Sequence, residues 1–176
     1  MRKNRAGSAL ALFVFIVLIS LAFAGCAARG ADFTTVYGNE GAFGYKESDE
    51  GIKYGVSAIA RSLDELKELC AEWNNPAFTE GAEGYDGELS RKLRAYDDGF
   101  FSEKSLVIVF LFGVNGAREP KLKSLSVKDG ALEAEISLKK GNFSDVAEAW
   151  IFVAETEASA VASAEKITVT TSERRK

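Results

Sequence analysis

The stretch Leu106-Val107-Ile108-Val109-Phe110-Leu111-Phe112 decides the fold, because its apolar residues follow one another without a polar interruption. Valine, isoleucine and phenylalanine favour extended backbone. A strand with one face in water alternates apolar and polar residues, whereas a strand that is covered on both faces does not need to alternate. We therefore predict a strand over 106–112 in the middle of a sheet, with structure packed on each side of it.

The chain after this stretch predicts further strands. Asp129-Gly130 separates two strand patterns at 121–127 and 132–138, and this dipeptide is the strongest short signal for a two-residue hairpin turn. In the second arm, apolar side chains at even positions alternate with polar ones at odd positions, which predicts one buried and one exposed face. The remaining predicted elements are strands at 147–155 and 166–171 and a connection of small residues at 158–164.

The chain before the central stretch predicts two short helices. Ser62-Leu63-Asp64-Glu65 is a capping box, in which the serine hydroxyl accepts a hydrogen bond from the third helical amide. Apolar residues then recur at helical spacing until Asn74-Asn75-Pro76 ends the helix. A second helix is predicted from about Glu88 to Tyr96. Together these elements predict an α+β fold, a mainly antiparallel sheet of about six to eight strands with two short helices packed on it.

The start of the chain has the pattern of an export signal. Basic residues occupy three of the first five positions, and 9–24 is apolar except for Ser20. The apolar stretch ends in Ala22-Phe23-Ala24-Gly25-Cys26, which resembles a bacterial lipobox and predicts a diacylglyceryl group on Cys26. Two alternatives remain open: cleavage after Ala24 that releases a soluble secreted protein, or an uncleaved membrane-spanning leader. In each case the basic flank stays inside and the rest of the chain is translocated, so we expect an extracytoplasmic protein, most simply one anchored by lipid to the cell membrane.

These patterns predict one folded domain. We expect a lipoprotein signal peptide at 1–25, a tether with possible edge strands at 26–51, a single domain at 52–172 and a basic tail at 173–176. About 150 residues remain after the signal, which is the size of one ordinary domain.

Composition excludes several classes of function. From Cys26 onward the chain has 19 Lys and Arg against 26 Asp and Glu, and this net charge near −7 argues against nucleic acid as a partner. The chain has no histidine, the commonest general base and neutral metal ligand. Cys70 lies on the apolar stripe of the first helix, which favours a buried, inert thiol. We therefore predict no catalytic residue, no metal and no cofactor.

One segment carries a family resemblance. The capped helix at Ser62, the stretch Tyr96-Asp97-Asp98-Gly99-Phe100-Phe101-Ser102-Glu103-Lys104-Ser105-Leu106-Val107-Ile108-Val109 and the hairpin around Asp129-Gly130 together resemble small bacterial lipoproteins. These are similar to the C-terminal domain of PrcB, a protease-complex subunit, and the resemblance covers roughly 59–170. It implies an α+β domain with a non-catalytic role in stabilising or assembling an extracellular protease.

Two functional hypotheses follow. The first is a lipid-anchored, non-enzymatic interaction module with a protein partner, whose contacts we expect in the loop after the central strand. That candidate interaction loop consists of Val114, Asn115, Gly116, Ala117 and Arg118. The second is a lipoprotein that binds a small ligand, such as a sugar, peptide or metabolite, in a pocket between helix and sheet. Trp150 is a candidate aromatic anchor, although core packing is the favoured interpretation of this residue.

Overall fold

The structure is a computed structural model that describes residues 28–113, 117–140 and 147–174. It confirms the α+β fold with mostly antiparallel strands. The strands are β1 (Arg29–Ala31), β2 (Phe33–Glu40), β3 (Tyr45–Ser48), β4 (Gly51–Tyr54), β5 (Ala58–Ala60), β6 (Lys104–Phe112), β7 (Ala117–Lys128), β8 (Ala131–Lys140), β9 (Ala149–Glu157) and β10 (Lys166–Arg174). The helices are α1 (Leu63–Glu72), α2 (Glu88–Arg94), α3 (Asp98–Phe101) and α4 (Ala158–Val161), with a 3-10 turn at Pro76–Phe78.

The elements form three layers. An outer sheet with the order β1-β7-β8-β10 packs on a central sheet with the order β2-β9-β6-β5. Helices α1, α2 and α3 cover the other face of the central sheet, whereas α4 packs into the core between the two sheets. Strands β3 and β4 pair only with each other in the described part of the chain. The strands are therefore divided between two four-stranded sheets and one separate hairpin.

Strand β6 is the centre of this arrangement, as its sequence predicts. It lies between β5 and β9, and its residues 106–109 are fully buried. Val107 and Val109 face the outer sheet, while Leu106 and Ile108 face the helices. Burial of each such side chain contributes about 1.5–3 kcal/mol, so the strand helps to stabilise both interfaces of the molecule.

The outer sheet is built on the predicted hairpin. Asp129 and Gly130 both have positive φ, 50° and 75°, as a type I′ turn requires. Strand β10 then pairs with β8 in parallel, with Lys166 opposite Ala131, after the chain has crossed through β9 and α4. The alternation of β10 predicts its buried face but carries no signal for its direction relative to β8, so the parallel pairing was not predicted.

The folded part begins earlier than the predicted domain boundary. Strand β1 lies at the edge of the outer sheet, and after Asp32 the chain enters β2 at the edge of the central sheet. The Thr156 hydroxyl donates a hydrogen bond of 2.7 Å to the Asp32 carbonyl and fixes this crossing. Segment 29–51, predicted as a tether with possible edge strands, is thus largely strand. At the other end, β10 continues through Arg174, so half of the predicted 173–176 tail pairs with β8.

Helix α1 has the predicted cap and end. Ser62 Oγ accepts from the Glu65 amide at 3.0 Å. The Glu65 carboxylate accepts from the Arg61 amide at 2.7 Å, one residue before the Ser62 amide that the glutamate of a capping box usually bonds. At the other end Asn74 adopts positive φ, 48°, and the Asn75 amide donates to the Cys70 carbonyl at 2.8 Å. These bonds form a Schellman motif with asparagine in the position that glycine usually takes.

Candidate interaction surface

Most of the predicted site residues lie outside the described residues: Cys26, Val114, Asn115 and Gly116. Ala117 and Arg118 begin β7, where their backbones pair with the end of β8. The candidate interaction loop therefore joins β6 to β7, and its last two positions belong to a strand of the outer sheet.

A second exposed feature lies at the hairpin of β3 and β4. All eight of its strand residues are exposed. Tyr45 lies opposite Tyr54, and Glu47 lies opposite Ile52, so these four side chains share one face, here named the aromatic face. Tyr45, Ile52 and Tyr54 are 41%, 52% and 60% exposed. Three large apolar side chains that lie together on one face are rarely left so exposed to solvent.

The backbone of the hairpin is fixed to the end of α1. The Tyr45 amide donates to the Trp73 carbonyl at 2.7 Å, and the Asn74 side-chain amide donates to the Tyr45 carbonyl at 3.2 Å. A Cβ on Gly44 would collide with the Trp73 carbonyl, so only glycine permits this close approach. Isolated two-stranded hairpins are marginally stable in water, and these bonds supply the support that β3 and β4 lack from a sheet.

The other strand of the hairpin is held by the central sheet. Gly55 has φ of 72°, and a Cβ there would overlap the ring of Phe110. On the face opposite the aromatic face, Lys46 pairs with Glu72 of α1 at 2.6 Å. The lysine side of the hairpin is thus turned toward the helix, and the aromatic face is turned away from it.

The two ends of the sheets are chemically different. We name the near end by the start of β1 at Arg29 and the start of β6 at Lys104, and the far end by the end of β6 at Phe112. A nine-residue strand at about 3.3 Å per residue separates the ends by roughly 26 Å. The backbone of Gly55 lies against the ring of Phe110, so the hairpin that ends just before Gly55 is at the far end of the sheets. Phe112, at the same end, is 66% exposed. The last two residues of the candidate interaction loop, Ala117 and Arg118, begin β7 at the same end.

Charge is also divided between the layers. Residues 45–88, which include the hairpin and α1, have eleven acidic against four basic residues. The outer-sheet strands β7, β8 and β10 have eight basic against four acidic residues. The negative charge of the domain is therefore concentrated on the hairpin and helix side.

A cavity of about 370 Å³ opens at one side of the sandwich, between the bulged part of β2 and the start of β7. Its wall is formed by 35–38 and 120–122, and Phe152 lines it from the central sheet. The ring of Phe152 is stacked with Trp150 at 6.5 Å, and Trp150 packs against the core between the sheets, as the favoured interpretation predicted. The cavity lies between two sheets, whereas the expected pocket lay between helix and sheet.

Cys70 and Tyr96, two further groups with reactive side chains, are held in packing and hydrogen-bonding environments. Cys70 is buried, and burial raises the pKa of its thiol to about 12. Burial also raises the pKa of Tyr96, whose hydroxyl donates to Glu155 at 2.9 Å, and the Glu155 charge raises it further. Lys104 lies 3.6 Å from the same carboxylate. Because its pKa is raised, Tyr96 stays protonated near neutral pH and does not serve as a general base. The cluster of Tyr96, Glu155 and Lys104 connects strands β6 and β9 to the segment before α3.

Within 28–113, 117–140 and 147–174, no three histidine, cysteine, aspartate or glutamate residues are grouped as metal ligands. Over the same residues, each helix is too short or too polar to cross a bilayer.

The aromatic face was missed by sequence reasoning, although a signal for it exists. Tyr45 and Tyr54 flank the polar turn Ser48-Asp49-Glu50-Gly51 at equal distance, and each tyrosine adjoins a glycine. The segment is short and lacks a buried face, so the usual alternation is absent.

Comparisons with protein-family models, with curated proteins and with solved structures found no match to this chain.

Proposed function

We propose that this protein is a lipid-anchored, extracytoplasmic, non-enzymatic interaction module that stabilises or assembles an envelope protease or another protein complex. The observation that carries the proposal is the gathering of exposed aromatic and aliphatic side chains at the far end. The large exposed hydrophobic residues of the described chain are Tyr45, Ile52, Tyr54 and Phe112. Exposed apolar groups gathered in this way on a folded domain are typical of protein interaction sites. A protease complex is the partner class that the PrcB resemblance implies.

The position of β1 supports the anchored arrangement. Only Ala27 and Ala28 separate Cys26 from β1 at Arg29. Three residue steps span at most about 10–11 Å, so a lipid on Cys26 holds the near end of the sandwich against the bilayer. The far end then faces away from the membrane, where a protein partner is accessible.

The anchor is tested by the mass and the location of the full-length protein. We expect the mature protein to begin at Cys26, to carry a diacylglyceryl group and to fractionate with membranes. The Cys26→Ser variant should lose the lipid mass, and any membrane association that it keeps is due to an uncleaved leader. Recovery of the unmodified full-length chain in the cytosol would refute the proposal.

The partner is tested by chemical cross-linking in intact cells, followed by purification in mild detergent. We expect one protein to be cross-linked reproducibly, and we expect the variants Asn115→Ala and Arg118→Ala to reduce its yield without changing the melting temperature. Wild-type yields from both variants would exclude the candidate interaction loop. Absence of any cross-linked protein would count against an interaction module.

The alternative function, binding of a small ligand, is favoured by the cavity beside Phe152. A ligand at 100 times its Kd would stabilise the fold by about 2.7 kcal/mol. A thermal-shift panel of sugars, peptides and metabolites would detect such a ligand. The variant Thr35→Trp, which fills the cavity, should abolish the shift, whereas Thr168→Trp on the exposed face of β10 should keep it.

A further inference from the structure

We propose that the aromatic face of the hairpin is a docking site for an extended segment of a partner protein that presents arginine beside apolar side chains. This inference rests on the proposed interaction function and adds the position of the site and the chemistry of its occupant. The site consists of Tyr45, Glu47, Ile52 and Tyr54.

The hairpin is built to present this face. Cross-strand pairing of the two tyrosines stabilises the hairpin, but it leaves about half of each side chain accessible to solvent. Glycines at both ends of the hairpin, Gly44 and Gly55, permit backbone contacts that a Cβ would prevent. The Lys46–Glu72 ion pair adds a support on the opposite face. A fixed, exposed face loses little conformational entropy on binding, which favours recognition.

The charge of the face defines its occupant. Lys46 and Lys53 are paired with Glu72 and Glu50, whereas Glu47 forms no ion pair with the described residues. An arginine side chain can stack on a tyrosine ring and pair with a neighbouring carboxylate at the same time. The chain contains one example of the stacking, since Arg94 lies 3.7 Å from the ring centre of Tyr85. The rings of Tyr45 and Tyr54 have no such cation among the described residues.

The surrounding charge extends the same preference. Eleven acidic against four basic residues over 45–88 attract a cationic segment and repel an anionic lipid surface. The face also lies at the far end of the sheets, away from the anchor proposed at Cys26. A basic protein segment is therefore a better occupant than the bilayer that holds the anchor.

Site-specific photo-cross-linking in cells tests the position of the site. p-Benzoylphenylalanine replaces Tyr54 on the aromatic face, Lys53 on the opposite face of the same hairpin, or Thr170 on the outer sheet. We expect a protein adduct from position 54 and at least tenfold less from positions 53 and 170. Mass spectrometry should place the adduct within a few residues of an arginine in the partner.

The possible outcomes separate this inference from the proposed function. Protein adducts from position 53 or 170 but not from 54 would keep the interaction module and overturn the docking site. An adduct with lipid, with a second copy of the chain, or with a segment that lacks basic residues would also overturn it. If none of the three positions yields a protein adduct, the docking site fails, and the chemical cross-linking and purification proposed above decide separately whether the interaction module fails as well.

Binding of a defined probe tests the chemistry. The probe is the peptide acetyl-Gly-Arg-Leu-Arg-Leu-Arg-Gly-amide, with glutamate in place of arginine in the control peptide. We expect the full-length protein in detergent to bind only the arginine peptide.

Tyr54→Ala should weaken binding about tenfold and Tyr54→Phe should retain it, because the ring makes the contact. Glu47→Gln should weaken binding and flatten its salt dependence, while Lys53→Gln should leave the affinity unchanged or higher. Equal affinity for both peptides, or wild-type affinity in Tyr54→Ala, would overturn the proposal.

Discussion

Asn75 connects the hairpin that carries the aromatic face to the end of α1, and its replacement should be costly. The residue is only 4% exposed. Its side-chain amide donates to the carbonyl of Phe43, and its side-chain oxygen accepts from the amide of Ala77 at 2.9 Å. Asn75→Ala leaves both backbone groups without a partner. Because each unsatisfied buried group costs about 1–3 kcal/mol, we expect a loss of about 2–4 kcal/mol.

Asn75→Asp separates hydrogen bonding from shape. The aspartate keeps the acceptor for Ala77 but turns a carboxylate oxygen toward the Phe43 carbonyl, and burial raises its pKa above the unfolded value near 4. The folded state therefore binds the proton more tightly, and the variant is most stable when the carboxyl group is protonated and donates to Phe43. The deficit relative to wild type should grow as the pH rises from about 4 to 7, by about 1.4 kcal/mol for each unit of raised pKa.

The full-length protein is unfolded in mild detergent by urea and by heat, and tryptophan fluorescence monitors the unfolding. A loss of 2–4 kcal/mol lowers the melting temperature by roughly 4–16 °C for a domain of this size. Asn39→Ala is the matched control, because Asn39 is exposed, and it should change stability by less than about 0.5 kcal/mol. The reasoning is refuted if Asn75→Ala behaves like this control, or if the deficit of Asn75→Asp is the same at pH 4 and pH 7.

Three further predictions follow from the core and the outer sheet. In the full-length Cys26→Ser variant, Cys70 should react with a thiol reagent only as fast as the protein unfolds, because the thiol is buried with a pKa of about 12; rapid reaction of native protein would contradict this. Ser105→Ala should raise the free energy of unfolding in urea by about 1 kcal/mol, because the Ser105 hydroxyl is buried without a hydrogen-bond partner among the described residues; a loss of stability would reveal a partner. The hydrogen bond from Lys123 holds the pKa of Glu135 at about 2. The stabilising effect of ionised Glu135 should therefore be complete above about pH 4.5 and lost as the pH falls toward 2, and an unshifted pKa of Glu135 in an NMR titration would exclude the effect.

Local signals predicted the elements that depend on neighbouring residues. The Asp129-Gly130 turn, the Ser62 cap of α1 and the two-sided burial of β6 are all present in the structure. Each depends on a few consecutive residues, because a turn needs particular φ values, a cap needs one hydroxyl and a buried strand needs an unbroken apolar run.

Weak or distant signals were less informative about the rest. The strands β1, β3 and β4 were not predicted as such, because each is only three or four residues long, and β3 and β4 lack a buried face. The positive φ of Gly55 separates β4 from the three-residue strand β5. The cavity was expected under a helix, yet that interface is closely filled by side chains such as Leu66, Leu93 and Phe43.

The sequence by itself determined which side chains must be buried, since apolar periodicity is a property of a short stretch. Only the tertiary structure decided which strands become neighbours, because pairing joins residues that are far apart in the chain and the pattern of one strand does not name its partner. It placed β10 parallel to β8, divided the strands between two sheets and made β1, from Arg29, part of the outer sheet. It also left Tyr45, Ile52 and Tyr54 in solvent, because their exposure depends on which distant parts of the chain fail to pack against the hairpin.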